Sequence, residues 1–372
     1  MAVKITKVIN TSNVLKTIWN NQGISRIDIA KLLKLDKSTV TVIVNNLIEK
    51  EYVVEVEEGE AGPKGGRKPV KLKINKLFGS VAGIEMHPNF YHAVLIDLEG
   101  DVITSVFRKV SINEDNFFDH YHEIIKDLCT SESEIPPLLG VGIGTTGIVD
   151  STTGTILQSI PLNVENFPIQ TIIEESESFP VSVENDANAC CWGEMIFHRG
   201  NTLKNFLFVL VEFHGSSHPE EESTHGIAVG LGFVFNGKLH YGQNNSAGEF
   251  RSIEWTNRNV SQFSIDDNDT YKVEVDEKVF DQFALELSNH LAFLANTLNL
   301  NHIFLGGDIE KHRDRFTPVL KERIQKNWPY KDLDKCTIHY SSFGKSAVAY
   351  GAAGMMLNRL FINRELINSL YK

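Results

Sequence analysis

The sequence predicts a two-lobed α/β body behind a small helical domain that a β-hairpin closes. Three observations predict it. Apolar residues recur at helical spacing through residues 5–48 and give way to alternating strands before residue 76. A β-rich meander followed by a helical stretch then occurs twice, over 81–129 and again over 206–299. Glycine-rich turns end buried strands at Gly142-Ile143-Gly144-Thr145-Thr146-Gly147 and at Gly306-Gly307.

Composition bounds the reading. The chain has 372 residues, 42% hydrophobic and 23% charged, the make-up of a globular protein of about two to three domains. It has no run of about 18 apolar residues, so no membrane helix is expected. The opening residues carry lysines but no apolar core with a small-residue cleavage site, and no secretory signal is expected. Cys129, Cys190, Cys191 and Cys336 fit no disulfide framework, so a cytoplasmic location follows as an expectation. Charge is uneven: residues 1–80 hold 14 basic and 8 acidic side chains, the remainder 22 and 40. An acidic body repels nucleic acid while its first fifth attracts it, unless that fifth is an ordinary basic surface.

The first domain, residues 1–76, reads as a winged helix-turn-helix. Ile5, Val8, Ile9, Leu15, Ile18 and Trp19 give a first amphipathic helix that Gly23 ends. Ser25 opens a short second helix with Asp28 three residues on, a capping-box variant, and Ile29, Leu32 and Leu33 form its apolar face. Lys34-Leu35-Asp36 is the turn, with Asp36 as the cap of a third helix. There Val40, Val44, Leu47 and Ile48 face inward, leaving Lys37, Ser38, Thr39, Thr41 and Asn45 outside, the arrangement of a recognition helix. Strands over 52–56 and 70–74 flank the basic, glycine-rich stretch 59–69. Its Gly65-Gly66-Arg67-Lys68-Pro69 resembles the core of AT-hook peptides, in which Arg enters a narrow A·T-rich minor groove. The alternatives are a solvated hairpin turn and a helix-turn-helix used for protein contacts.

The body divides at the sequence level into a first lobe of 77–188 with 346–372 and a second of 189–345. Two meander-plus-helix halves around a cleft describe an actin-like (ASKHA, ribonuclease-H-like) fold. Its motifs, in order, are Gly142-Ile143-Gly144-Thr145-Thr146-Gly147-Ile148-Val149-Asp150, Glu184-Asn185-Asp186-Ala187-Asn188-Ala189, the glycine-rich stretch 226–242 and Ser246-Ala247-Gly248-Glu249. Leu305-Gly306-Gly307-Asp308-Ile309 and Ala347-Val348-Ala349-Tyr350-Gly351-Ala352-Ala353 follow. Residues 77–372 thereby resemble the repressor–ORF–kinase (ROK) family, and Glu-Asn-Asp-Ala-Asn-Ala is the most specific of the matches. The resemblance implies a C-terminal helix that packs on the first lobe, and either a sugar kinase or a sugar-responsive regulator. The winged helix in front points to a xylose-repressor-like regulator, a homodimer or a tetramer.

Departures from the family separate kinase from regulator. ROK kinases open with Asp-x-Gly-Gly-Thr, whose backbone N–H groups cradle phosphates. Here Glu85-Met86-His87-Pro88-Asn89 stands in that place, and Pro88 has no N–H. The second phosphate loop appears as Gly226-Ile227-Ala228-Val229-Gly230-Leu231-Gly232, its threonine lost and bulky residues in place of glycines. No ATP chemistry, catalytic residue or cofactor is expected. The family's zinc site is not expected either: Ser252 holds the His position and no cysteine lies between Cys191 and Cys336.

The resemblance carries sugar binding onto Asn185, Asp186 and Glu249. A carboxylate and amide set suits vicinal hydroxyls, although Arg251 and Ser252 replace a family glycine and a sugar-contacting His. The alternative is that the Asn-Asp turn only caps the helix that starts near Ala187. His214, His218 and His225, with Glu220, Glu221 and Glu222 among them, read as a solvated loop rather than a metal site. Asp266-Asp267-Asn268-Asp269 lacks the glycine and distal glutamate of a calcium loop. The expectation is a repressor of sugar-utilisation genes that binds a pseudo-palindromic operator in double-stranded DNA. Arg26, Lys37, Ser38, Thr39, Thr41 and Asn45 would face the major groove or phosphates, with Arg67 and Lys68 in an A/T-rich minor groove. A ROK kinase with a regulatory winged helix, and a regulator that has lost its effector, are the alternatives.

Overall fold

The computed structural model describes residues 2–58, 70–130, 135–198, 203–214, 226–256, 259–330 and 336–362. The N-terminal domain runs α1 (Ala2–Asn20), β1 (Ile24–Ser25), α2 (Arg26–Leu33), α3 (Lys37–Glu49), β2 (Val53–Glu58) and β3 (Val70–Ile74), its strands ordered β1-β3-β2. The Ser25 hydroxyl accepts the Asp28 N–H at 3.3 Å and donates to the Asp28 carboxylate at 2.7 Å, so the box closes through the hydroxyl. Lys34 turns the chain with a left-handed φ of 52°. Asp36 occupies the N-cap of α3 as expected, but its side chain makes no capping bond.

The apolar faces differ from expectation at three places. Leu32 is 62% exposed and Ala30 is buried in its stead. At helical pitch Ile29, Ala30 and Leu33 share a side from which Leu32 is turned away. In α3 Ile43 joins Val40, Val44 and Leu47 in the core while Ile48 is half-buried, and in α1 Val14 is buried whereas Ile9 is exposed.

The first lobe contains β4 (Ser80–His87), β5 (Phe90–Asp97), β6 (Val102–Lys109), α4 (Phe117–Cys129) and β7 (Leu138–Thr145). A small sheet of β8 (Ile148–Asp150), β9 (Thr155–Ser159) and β10 (Val164–Phe167) follows, then α5 (Ile169–Ser176), β11 (Val181–Asn185) and α6 (Asp186–Phe197). The second lobe contains β12 (Phe206–Phe213), β13 (Ile227–Phe235), β14 (Lys238–Leu239), α7 (Asp267–Thr270) and α8 (Glu277–Thr297). After these come β15 (His302–Gly307), α9 (Arg313–Lys326), β16 (Thr337–Tyr340) and α10 (Ala347–Ile362). The large sheets have orders β11-β7-β4-β5-β6 and β14-β13-β12-β15-β16. In each an antiparallel meander is extended by two parallel strands, so the two halves repeat one topology. The small sheet and β16 were not anticipated. They are short, and Asn163 and Asn166 take left-handed φ values of 53° and 52° that break any alternation.

The returning helix α10 lies directly on the first sheet and on α6. A Cβ at Gly142 would meet the Ala352 carbonyl oxygen at 2.0 Å, and one at Gly351 would meet that of Ala189 at 1.9 Å, so backbone touches backbone at both places. The far end of α10 grips α1. The Ser12 hydroxyl donates to the Phe361 carbonyl at 2.8 Å and Lys16 Nζ to Asn358 Oδ1 at 3.3 Å. Trp19 packs on Phe361 with ring centroids 5.9 Å apart, and its indole N–H donates to the Leu98 carbonyl at 2.8 Å. One apolar cluster therefore runs from Val44 and Leu47 through Ile18 and Trp19 to Met356 and Leu360. Denaturant unfolding is expected to show Gly351→Ala less stable by about 1–3 kcal/mol and Trp19→Ala by about 3–5 kcal/mol. Leu32→Ala, on the exposed face, is expected to stay within about 0.5 kcal/mol.

Candidate functional site

Two surfaces carry the chemistry. On α3, Lys37, Ser38, Thr41 and Asn45 are exposed and Thr39 is half-exposed. The Thr41 hydroxyl donates back to the Lys37 carbonyl at 2.8 Å, leaving its lone pairs outward. The Arg26 guanidinium donates to Asn45 Oδ1 at 3.2 Å and pairs with Glu55 at 2.8 Å, tying α2 to α3 and β2. It stands beside Asn45, another of the expected DNA contacts. Exposed Val42 lies on the same helix and escaped the sequence reading. Arg67 and Lys68 lie outside the described residues.

The second surface is a cavity of about 1090 Å³ between the lobes, with His87 and Phe90 on one side, Glu212 and His214 on the other, and Ala347 and Val348 of α10 along its wall. Asn185, Asp186 and Glu249 do not line it. Asn185 is the N-cap of α6: its Oδ1 accepts the Asn188 N–H at 3.2 Å and its Nδ2 donates to the Gly147 carbonyl at 3.0 Å. The fold thus uses both polar atoms of that side chain. Asp186 opens α6 and accepts the Ala187 N–H at 2.6 Å. Burial, then the charge of Glu212, pushes its carboxyl up to about 7; Glu249 adds to the push and His87 opposes it. Glu249 is exposed, and its backbone bridges to Gly230 of β13.

Two buried carboxylates beside these were missed. Glu184 is wholly buried; its Oε1 accepts the Asn185 N–H at 3.0 Å and its Oε2 the Tyr241 hydroxyl at 2.9 Å, a bond that joins the two lobes. Burial raises its carboxyl to about 7 against these hydrogen bonds. Glu85, on β4, is raised well above the usual range by burial and by Glu212. Both stand in motifs that the sequence marked, but their burial and their neighbours Tyr241 and Glu212 come from the opposite lobe and gave no local signal. The Asp266–Asp269 run serves the fold: Asp267 accepts the Val260 and Ser261 N–H groups at 2.8 and 2.9 Å.

Residues 81–256 match the ROK family and residues 11–55 the MarR family. Residues 81–256 of the body thus form a ROK-family domain. Over 250 residues the chain is 34% identical to the xylose repressor of Caldicellulosiruptor bescii, an overlap of 66% of this chain and 58% of that protein. The chain thus spans less than two thirds of that relative's length. A solved ROK family transcriptional regulator, a homolog of the E. coli MLC protein, superposes over 98% of both chains with a TM-score of 0.75 at 23% identity. A ROK family glucokinase from Streptomyces griseus, solved with glucose and AMPPNP, superposes on 74% of this chain and 99% of its own with a TM-score of 0.57 at 18% identity. Among the described residues no helix is long and apolar enough to cross a membrane.

In this ROK domain the β4–β5 hairpin closes on Pro88-Asn89, with His87 opposite Phe90. Pro88 has no N–H, and the Asn89 N–H donates to His87 Nδ1 at 3.2 Å, so neither amide is turned to an anion in the cleft. At the position where ROK zinc sites carry His, the Ser252 hydroxyl pairs with His290 Nε2 at 3.0 Å. Glu184 gives a pH test. Its folded-state affinity for a proton exceeds the unfolded one, so it lowers stability as pH rises from about 4.5 to about 7. Glu184→Gln keeps an acceptor for Asn185 and removes the charge. Its unfolding free energy is expected to fall less than the parent's between pH 5 and 8.

Proposed function

We propose that this chain is a sugar-responsive DNA-binding repressor whose body senses a sugar without phosphorylating it. The observation that carries the reading is α10, which lines the interlobe cavity with Ala347 and Val348 and holds α1 through Asn358 and Phe361. A ligand that favours one lobe angle shifts this helix, and with it the recognition helix. It does so only to the extent that its affinities for the two arrangements differ. Asp186, whose charge acts on Glu212 in the cavity wall, and Glu249, whose charge acts on Asp186, are the groups for sugar hydroxyls. Asn185 caps the helix that Asp186 opens and stands beside them. On the DNA side Lys37, Ser38, Thr39, Thr41 and Asn45 face the major groove and Arg67 and Lys68 the minor groove. In a homodimer two such helices about 34–36 Å apart read a pseudo-palindrome. The spent amides at Pro88-Asn89 and the repressor names of its relatives favour this over a kinase.

The test is fluorescence anisotropy of labelled DNA from upstream of the protein's own gene, at fixed salt because phosphate contacts dominate affinity. A sugar panel begins with xylose, after the names of the relatives. Tight binding relieved by one sugar is expected, with Lys37→Ala weakening every DNA and Asp186→Asn abolishing the sugar response alone. Binding indifferent to all sugars would make the protein a constitutive regulator. Sugar phosphorylation by ATP, lost in Asp186→Asn, would make it a kinase.

A further inference from the structure

We propose that His87, Glu212 and His214 form a binding site for a divalent transition-metal ion of the zinc class, bridging the two lobes across the cavity. His87 ends β4 in the first lobe, Glu212 lies on β12 in the second and His214 follows that strand directly. His87 Nε2 stands 3.4 Å, and His214 Nε2 3.8 Å, from the same carboxylate oxygen, Glu212 Oε2. One ligand atom from each residue lies within 4.8 Å of the others. A tetrahedral ion with bonds of about 2.0–2.1 Å spaces its ligand atoms by about 3.4 Å. Two edges of the triangle are therefore at, or within about half an ångström of, that spacing. Two imidazoles and one carboxylate are the donor set that zinc-type ions prefer.

The surroundings favour a cation. Glu85 and Asp186 lie close enough to Glu212 for their charges to oppose one another, and a dication relieves that repulsion. The His87 ring and the His214 backbone are held before the ion arrives. His87 is 5% exposed and stacks on Phe90 at 4.4 Å, and the His214 backbone N–H donates to the Gly226 carbonyl at 3.0 Å.

One contact must change. His87 accepts the Asn89 N–H at Nδ1, so its Nε2 carries the proton that points at Glu212. An ion at Nε2 moves this proton to Nδ1 and turns the Asn89 N–H away, with no net proton leaving the ring. Loading the ion thereby rearranges the Pro88-Asn89 turn and fastens it to the second lobe. Three protein ligands leave a further position, open to the cavity they line, for water or a ligand hydroxyl.

The full-length chain, stripped with a chelator, is titrated with Zn²⁺ by calorimetry and with Co²⁺ followed by its visible d–d bands. One ion per chain is expected, with the intense spectrum of a four- or five-coordinate Co²⁺ site. Glu212→Gln and His214→Gln are each expected to weaken binding by at least about 100-fold, since loss of a group merely behind a ligand costs about 10–100-fold. Thermal melts of both variants establish that they fold, and His302→Gln, in a histidine pair of the second lobe, is expected to bind as the parent does. No saturable binding, or binding retained in both variants, overturns the site. So does binding that disappears only when His218 and His225 are replaced.

Discussion

The close packing of α10 is the constraint on which the rest of the structure depends. A helix whose inner face is Ala349, Gly351, Ala352 and Ala353 approaches until its carbonyls meet the glycines of β4 and β7, and no Cβ fits between them at Gly83 or Gly142. Such contact leaves little freedom to tilt, because close-packed interiors respond to displacement by repacking rather than by yielding. The same helix walls the cleft at its N-terminal end and holds α1 at the other. Cleft and recognition helix are thus attached to one rigid rod.

The winged helix is fused to the body rather than strung from it. Trp19 has its indole N–H on Leu98 and its ring among Phe197 and Phe361, and the apolar cluster it belongs to continues unbroken into the first lobe. Between the lobes α6 packs its Ala187 and Cys191 against Gly232 of β13, and polar links such as the Tyr241–Glu184 hydrogen bond and the His87–Glu212 pair cross the cleft. Polar links among buried carboxylates are costly to maintain and sensitive to what enters between them. The molecule is therefore firmly packed between α10 and α1, and the polar links in its cleft are the interlobe contacts that an entering ligand would alter.

Much of this was legible in the sequence. Helical spacing located α1, α2 and α3, and the Glu-Asn-Asp-Ala-Asn-Ala motif located the corner between β11 and α6. Local patterns were weakest where tertiary contacts decide: Ala30 is buried instead of Leu32, and Ile43 lies in the core, because of where α2 and α3 meet the rest of the domain. The motif also hid a double meaning, since Asn185 is consumed as a helix cap while its neighbour Asp186 faces the charge of Glu212. Arg26 reads as a phosphate contact by type, and its contacts to Asn45 and Glu55 were not legible in the sequence. Glu184 and Glu85 stood in marked motifs and Glu212 in none, and the part each plays comes from a neighbour far along the chain.

In the proposed function the cleft and the recognition helix are energetically coupled through α10. Coupling of this kind is reciprocal, so it is visible from either site. The most direct measurement is the affinity of the responding sugar for the free protein and for the protein saturated with its operator DNA. Two different values are expected, whose ratio equals the factor by which the sugar changes DNA affinity. Equal sugar affinities in the two states would rule the coupling out.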